Sequence, residues 1–264
     1  MTNFILVSKD TLATKRWIST SRYDFARTLA ISPIGGEELL HASREMPCAF
    51  TKTEGRYSLS VVLGLQPDMN LFVSPDGSWN GSYIPALFRA YPFRLAKVQG
   101  QDGLALVIDE DGGLSSDGEP FFDEEGKPMP KVAEYLEFLT QIERGRLKAD
   151  EVVKELDEAG LIEEWPLTIK SEDGNERKIG GLYRIAEQKI NQLDDETFLK
   201  LRRSQALPVA YIQLLSMRNI DTLGKLAMAQ IGVAQKQANR ASELFPGDRD
   251  GDLKFDWSKL LSKD

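Results

Sequence analysis

Short apolar runs separated by turn residues dominate the first hundred positions, and this pattern predicts strands rather than helices. Residues 57–65 (YSLSVVLGL) are apolar and β-branched, which predicts a buried strand, and residues 70–73 (NLFV) predict a second short strand. Two further apolar runs, at residues 94–98 and 104–108, are joined by a linker that contains glycine. We therefore expect these two runs to form a hairpin.

The period of the apolar positions changes after the loop at 109–130, in which Phe121 and Phe122 are expected to anchor the chain to the core. Apolar residues then recur every three or four positions, as on one face of a helix. The residues of this stripe are Val132, Tyr135, Leu136, Leu139, Ile142 and Leu147. A second, acidic helix is predicted at residues 150–159, with Gly160 as its C-terminal cap.

The remainder of the chain predicts one more hairpin and two more helices. Residues 167–169 and 178–183 flank a turn-rich sequence (SEDGN), which is typical of antiparallel strands. Asp194 is followed by two acidic residues, as expected for the N-cap of a helix. Pro208 suits the first position of a long helix over residues 209–244.

These elements predict the α+β class, with a sheet-rich N-terminal half that contains hairpins and a helical C-terminal half. We expect a mixed, mainly β core at residues 1–130 and a helical part at 131–245 that packs on the same core and includes the short hairpin near 167–183. Residues 246–264 are expected to form a polar tail.

Composition and charge narrow the class of protein. The chain has 264 residues, of which 41% are hydrophobic and 28% charged, as in an ordinary globular protein. It contains no run of about 18 apolar residues, so no membrane span is expected, and its N-terminus lacks the features of a secretory signal. The net charge of −8 argues against a nucleic-acid partner, because phosphate neutralisation dominates such binding. A single cysteine fits a reducing compartment, so we expect a cytoplasmic location.

Several common chemistries lack the residues that they need. His41 is the only histidine and Cys48 the only cysteine, which is too few for a usual structural zinc site. A Ser-His-Asp triad would have to use His41, but the chain has no G-x-S-x-G motif, and both common glycine-rich phosphate loops are missing. A dyad of His41 with Cys48 is disfavoured because Cys48 begins a run typical of a buried strand. We therefore predict no catalytic residue, no metal and no cofactor.

The most unusual stretch is residues 79–93, which has the pattern W-x-x-x-Y-x-P-x-x-x-R-x-Y-P-F. The candidate ligand-binding residues from this stretch and the strand after it are Trp79, Tyr83, Arg89, Tyr91, Phe93 and Asp109. One interpretation is structural, with the aromatics as core or corner residues and Arg89 as an ion-pair partner. The other is an aromatic-lined groove with Arg89 at its rim, suited to a peptide, a glycan or a ligand that carries a carboxylate.

The run at residues 63–95, LGLQPDMNLFVSPDGSWNGSYIPALFRAYPFRL, resembles the SapC family of bacterial proteins, named from surface-layer loci. The resemblance resumes at residues 181–217 and covers roughly residues 30–225 in all. It implies a bacterial protein connected with surface-layer secretion genes, or with neighbourhoods of outer-membrane receptors and halogenase-like proteins. The family provides no catalytic residues to transfer to this chain.

Two hypotheses for function follow. The first is a non-enzymatic cytoplasmic accessory protein of surface-layer or cell-envelope biogenesis that binds a protein or peptide client. The second is an enzyme, or the partner of an enzyme, that acts on a small molecule or glycan at a non-metal site where Tyr83, Arg89 and Asp109 converge. Residues 102–164 contain 19 acidic and 6 basic residues, which indicates either a solvated face or a surface that steers a basic partner. Homo-oligomerisation stays open.

Overall fold

The computed structural model describes residues 3–98, 103–170 and 176–244. The strands in these ranges are β1 Phe4–Leu6, β2 Arg16–Trp17, β3 Ile31–Pro33, β4 Cys48–Thr53, β5 Arg56–Val62, β6 Phe93–Lys97, β7 Leu104–Asp109, β8 Glu119–Pro120, β9 Ile162–Glu164, β10 Leu167–Lys170, β11 Glu176–Ile179 and β12 Leu182–Ile185. The α-helices are α1 Lys9–Leu12, α2 Gly36–Ala42, α3 Ala86–Arg89, α4 Glu110–Gly113, α5 Pro130–Glu158, α6 Glu187–Ile190, α7 Asp195–Arg203, α8 Ala206–Ser216 and α9 Ile220–Leu244. One compact unit extends to Leu223, and a second begins at Gly224.

An antiparallel five-stranded sheet has the order β3-β5-β4-β12-β9. Strands β4 and β5 form a hairpin whose two-residue turn places Glu54 and Gly55 at positive φ, which matches the twist of the strands that it joins. The strand predicted at residues 57–65 is thus confirmed, with its end at Val62. Because β12 pairs with β4, strands from both halves of the chain share one sheet.

The C-terminal half supplies most of the long helices, and the α+β prediction is confirmed. Asp194 is the N-cap of α7, as predicted, and its carboxylate accepts a hydrogen bond of 2.9 Å from the Thr197 N–H. The predicted hairpin at 167–183 is confirmed as β10 and β11, although Tyr183 belongs to β12 of the larger sheet. The turn residues 171–175 and the predicted tail at 246–264 lie outside the described residues.

A smaller antiparallel sheet has the order β1-β7-β6, and its β6–β7 pair confirms the second predicted hairpin. Residues 99–102 of the linker of that hairpin lie outside the described ranges. The core beneath this sheet contains Trp17, Phe93 and Phe121. The Trp17 and Phe93 rings meet edge to face with their centroids 4.8 Å apart. Phe121 is buried and anchors its loop as predicted, while Phe122 is half-buried against the same cluster.

A single helix, α5, replaces the two helices predicted between residues 131 and 159, so that prediction is wrong. Gly145 lies within α5, and its backbone passes close to Gly35 at the start of α2, where the missing side chain of Gly35 makes room for it. A Cβ added at Gly35 would lie 3.2 Å from the Gly145 carbonyl carbon. The helix ends as predicted: Gly160 has φ +67°, and the Leu161 N–H donates to the Leu156 carbonyl at 3.0 Å.

Two other predictions are wrong for local reasons. Residues 70–73 form a buried turn rather than a strand, because the Asn70 side chain caps it: its Oδ1 accepts from the Phe72 N–H and its amide donates to the Ala26 carbonyl. Pro208 is the third residue of α8 rather than the first. The long helix predicted to follow it is interrupted by a 3₁₀ turn at Met217–Asn219.

Candidate binding grooves

Trp79 has a structural role at the start of the aromatic segment. Its indole N–H donates to the Tyr83 carbonyl at 2.8 Å, and its ring stacks on Phe72 with the centroids 5.3 Å apart. The rings of Tyr23 and Phe88 pack against it as well. These contacts engage the ring and its only polar atom within the protein, so Trp79 stabilises the loop that contains it.

Two carboxylates from the region of α2 hold the next part of the segment. The buried Glu38 accepts hydrogen bonds from the Tyr83 hydroxyl at 2.8 Å, the Ala86 N–H at 2.7 Å and the Gly35 N–H at 3.1 Å. Glu45 accepts from the main-chain N–H groups of Ser82 and Tyr83. Residues 82–86 are therefore held by charge-assisted bonds to side chains about forty positions earlier.

Neither glutamate is predicted as a site residue from the sequence. A signal for Glu38 does exist, since a G-x-x-E spacing at the start of a helix lets the glutamate accept from the first main-chain N–H, as it does from Gly35. Its two further bonds, to Tyr83 and Ala86, depend on the tertiary fold. No local pattern marks Glu45.

Tyr83 and Arg89 line a small cavity of about 390 Å³ between α2 and α5. The exposed His41 ring lies nearly parallel to the Tyr83 ring, with the centroids 5.9 Å apart. The Arg89 guanidinium lies over the rings of Phe138 and Tyr83, 5.3 and 5.8 Å from their centroids. Within the described ranges Arg89 forms no ion pair, so its interpretation as a structural ion-pair partner is wrong.

Tyr91 and Asp109 form a hydrogen bond with each other, and neither of them lines the smaller cavity. The Tyr91 hydroxyl donates to the Asp109 carboxylate at 2.9 Å, and its ring stacks on Phe25 with centroids 3.7 Å apart. Asp109 also caps α4 by accepting from the N–H groups of Asp111 and Gly112. A Cβ at Gly112 would lie 1.6 Å from the Tyr91 hydroxyl oxygen, so this contact requires glycine there.

Both tyrosine hydroxyls are held in the protonated form. Partial burial raises the pKa of Tyr91 above its ordinary value, and the hydrogen bond to Asp109 raises it further. Burial and the Glu38 carboxylate raise the pKa of Tyr83 in the same direction, with the Arg89 guanidinium opposing them. Each hydroxyl therefore acts as a hydrogen-bond donor to a fixed carboxylate.

A larger open groove of about 870 Å³ lies beside Tyr91. Its walls are mainly apolar and aromatic. They include Phe4, Phe25, Leu29, Ile31, Leu87, Phe88, Tyr91, Phe93, Leu95, Leu139 and Ile142. Charged groups also line it: Arg94, Arg146, Asp109, Asp111 and Glu143. Arg146 is paired with Glu143 and Asp150, whereas Arg94 forms no ion pair in the described part of the chain.

The six predicted site residues thus separate into three places. Tyr91, Phe93 and Asp109 line the larger groove, Tyr83 and Arg89 line the smaller one, and Trp79 lines neither. The predicted convergence of Tyr83, Arg89 and Asp109 in one pocket is therefore wrong. The two cavities both border Ile142 on α5.

The single cysteine and the single histidine differ in their exposure to solvent. Cys48 is fully buried at the start of β4, and its burial raises the pKa of the thiol to about 12. His41 is exposed on α2. In the described ranges no group of three or more His, Cys, Asp or Glu side chains is placed to hold a metal ion, and no helix there combines the length and apolarity needed to cross a membrane.

The fold and its grooves define an α+β protein with an open apolar groove bordered by two sheets and a long helix. A family model described as SapC matches residues 7–223, and the chain belongs to the SapC family. No curated protein and no solved structure shows significant similarity to the chain.

Proposed function

We propose that this chain is a non-enzymatic accessory protein of bacterial surface-layer or cell-envelope biogenesis, located in the cytoplasm, that binds a protein or peptide client in the larger groove. The observation that carries the proposal is the open groove of about 870 Å³ with apolar walls and with Arg94, which forms no ion pair among the described residues. Clefts with mainly apolar and aromatic walls and a few polar groups are typical of binding sites. The chain belongs to the SapC family, and the resemblance to that family implies the connection with surface-layer genes.

The polar groups of the groove support binding over acid–base catalysis. Asp109 accepts three hydrogen bonds from this chain, from Tyr91, Asp111 and Gly112, so its oxygens serve the local fold. Tyr91 donates to Asp109 and its pKa is raised, so its hydroxyl stays protonated and is not available to act as a general base. The enzymatic alternative would need Tyr83 and Arg89 beside these groups, and they line the other cavity.

Site-specific photo-crosslinking tests the proposal. Leu29 lines the groove and is 41% exposed, and Leu147 on α5 is 52% exposed but does not line it. A photoreactive phenylalanine analogue is introduced at each position in turn, and cross-linked proteins from living bacteria are identified by mass spectrometry. We expect the Leu29 variant to capture a surface-layer protein, another envelope protein or a secretion component that the Leu147 variant does not capture. Recovery of chaperones alone, or the same proteins at both positions, contradicts the proposal.

A further inference from the structure

The larger groove passes the outer edges of both sheets. Strand β3 is the edge of the five-stranded sheet and β6 is the edge of the three-stranded sheet. Residues Ile31–Pro33 and Phe93 to Leu95 both line the groove. An edge strand presents main-chain donors and acceptors that another strand can bind. The groove therefore combines apolar walls with main-chain hydrogen-bonding groups.

The register of the β6–β7 pair shows which main-chain groups of β6 are free. The Asp109 N–H donates to the Pro92 carbonyl at 3.0 Å. Hydrogen-bonded and non-hydrogen-bonded residue pairs alternate along an antiparallel ladder, so the next hydrogen-bonded pair is Arg94 with Val107. Leu95 lies at a non-hydrogen-bonded position, and its N–H and C=O point away from β7. Neither group has a hydrogen-bond partner in the part of the chain that the structure describes.

Strand β3 is less suited than β6 to pair with an added strand. It has three residues, and Pro33 has no N–H to donate. Strand β6 has five residues and no proline. Short edge strands and prolines are devices that prevent pairing, so β6 is the edge of this groove that retains the capacity to pair.

Side chains on the two faces of β6 differ in chemistry. Leu95 packs against the core cluster that contains Phe93, as Ile142 also does, so this face is apolar. On the opposite face, the Arg94 guanidinium lies 3.4 Å from the centroid of the Phe4 ring. A strand added beside β6 would alternate its side chains between these two environments.

Of the two arginines that line the groove, Arg94 is the one that forms no ion pair in the described part of the chain. Partial burial lowers its pKa, and the nearby Asp109 opposes this effect, but Asp109 is already bound to Tyr91 and to the start of α4. Of the other charged groups that line the groove, Glu143 and Arg146 pair with each other, and Asp111 is exposed. An incoming carboxylate would therefore complete the charge balance at Arg94.

We propose that the client is an extended segment that pairs antiparallel with β6 and becomes a fourth strand of the β1-β7-β6 sheet. It places an apolar side chain opposite Leu95 and acidic side chains at the adjacent positions, beside Arg94. Main-chain bonds supply affinity and the alternating side chains supply specificity. This inference rests on the proposed function, whose cross-linking test is independent of the conformation of the client.

The test uses a capped, fluorescein-labelled ten-residue peptide of alternating valine and glutamate, with binding to the full chain measured by fluorescence anisotropy. Valine opposite Leu95 would direct its N–H toward β6, whereas the glutamate N–H groups would point away. We expect N-methylation of the valines to weaken binding by about tenfold or more, and N-methylation of the glutamates to have little effect. An alternating valine–lysine peptide is expected to bind about tenfold more weakly than the parent.

Two pairs of protein variants provide matched controls. Leu95→Pro removes the free N–H and should weaken binding about tenfold, while Leu95→Ala removes only the side chain and should have a smaller effect. Arg94→Glu should reverse the preference between the glutamate and lysine peptides, and Arg94→Lys should retain it. Circular dichroism establishes that each variant is folded.

Hydrogen exchange gives a readout that needs no variant. The Leu95 amide should exchange more slowly in the presence of saturating valine–glutamate peptide, because it becomes a hydrogen-bond donor within a sheet. Any one of three results overturns strand addition. They are unchanged exchange of the Leu95 amide, equal binding of the two N-methylated isomers, and no binding of the parent peptide. Cross-linking at Leu29 would still succeed if a client binds in another conformation. A dimer of the chain alone that Leu95→Pro converts to monomer would assign the edge to a second copy and overturn the client assignment.

Discussion

The Tyr91 hydroxyl donates a hydrogen bond of 2.9 Å to the Asp109 carboxylate, and this contact fixes one end of the β6–β7 hairpin. Tyr91 lies two residues before β6, and Asp109 is the last residue of β7. The same carboxylate begins α4, so one bond aligns the end of the aromatic segment, the sheet and a helical turn. Tyr91 and Asp109 both line the larger groove, so this alignment shapes its wall.

Gly112→Ala should disrupt that alignment, because the new methyl carbon would overlap the Tyr91 hydroxyl. We expect a loss of about 2 kcal/mol in the free energy of unfolding, from overpacking and the lost hydrogen bond. Urea denaturation provides the measurement. Gly36→Ala is the control, since nothing lies within 4 Å of its added Cβ and the residue is at the start of α2. Equal stability of the two variants would show that Tyr91 can move away without cost.

Glu38→Ala should be the most destabilising single change near the smaller cavity. It leaves the buried N–H of Ala86 and the N–H of Gly35 without their acceptor, and the Tyr83 hydroxyl loses its partner. We expect a loss of about 3–5 kcal/mol by chemical denaturation, and a smaller loss for Glu38→Gln, which keeps one carbonyl oxygen. The exposed neighbour Glu37 serves as the control, with a change within about 0.5 kcal/mol on replacement by alanine. A comparable effect at both positions would contradict the assigned role.

The two tyrosines make the fold sensitive to alkaline pH. Burial raises the pKa of Tyr83 and of Tyr91 above the ordinary value of 10.0. Above that pH the unfolded chain releases these protons while the folded chain retains them, so the free energy of unfolding falls as pH rises. Below pH 10 this contribution is fully present. The double variant Tyr83→Phe/Tyr91→Phe should show a flatter decline above pH 10 in urea titrations at successive pH values, and an unchanged slope would refute the linkage.

Gly145→Ala should stabilise the protein. Gly145 lies in the middle of α5, where glycine costs about 1 kcal/mol relative to alanine. The nearest atom to an added Cβ is a Glu37 carboxylate oxygen at 4.0 Å, so the methyl group fits. Gly35→Ala is the matched comparison on the facing backbone, where the Cβ would press on α5 at 3.2 Å and no gain is expected. Thermal unfolding of both variants checks the prediction, which fails if Gly145→Ala lowers the midpoint.

Cys48 should be unreactive in the folded protein. Its burial raises the pKa of the thiol to about 12, and the thiolate is the reactive form. Ellman's reagent at pH 8 is expected to label the chain only after unfolding in urea. Ser82→Cys places a second cysteine at an exposed position and should react at once. Rapid labelling of the native parent chain would show that β4 opens readily.

Local patterns predicted the elements whose cause is local. The Asp194 cap, the Gly160 helix end and the β6–β7 hairpin each depend on residues within a few positions. The continuity of α5 was not predicted, because the apolar stripe ends at Leu147 and an acidic segment follows at 150–159, although no proline or glycine separates the two.

The candidate site was predicted only in part, because some of its contacts join residues that are far apart in the sequence. Tyr91, Phe93 and Asp109 were identified and share the larger groove, since the hairpin that brings them together is local. Glu38 lies more than forty residues before the Tyr83 and Ala86 groups that it binds, so no spacing rule connects them. The edge position of β6 likewise depends on the order of strands in the finished sheet.

The five-stranded sheet has a consequence for the order of events during synthesis. The β4 residue Phe50 pairs with Tyr183 of β12, which is translated 133 residues later. At the usual speed of a ribosome, that interval lasts on the order of ten seconds. Throughout it the apolar strand β4 has one unpaired edge, so a nascent chain of this protein is expected to need the protection of a chaperone until β12 has emerged.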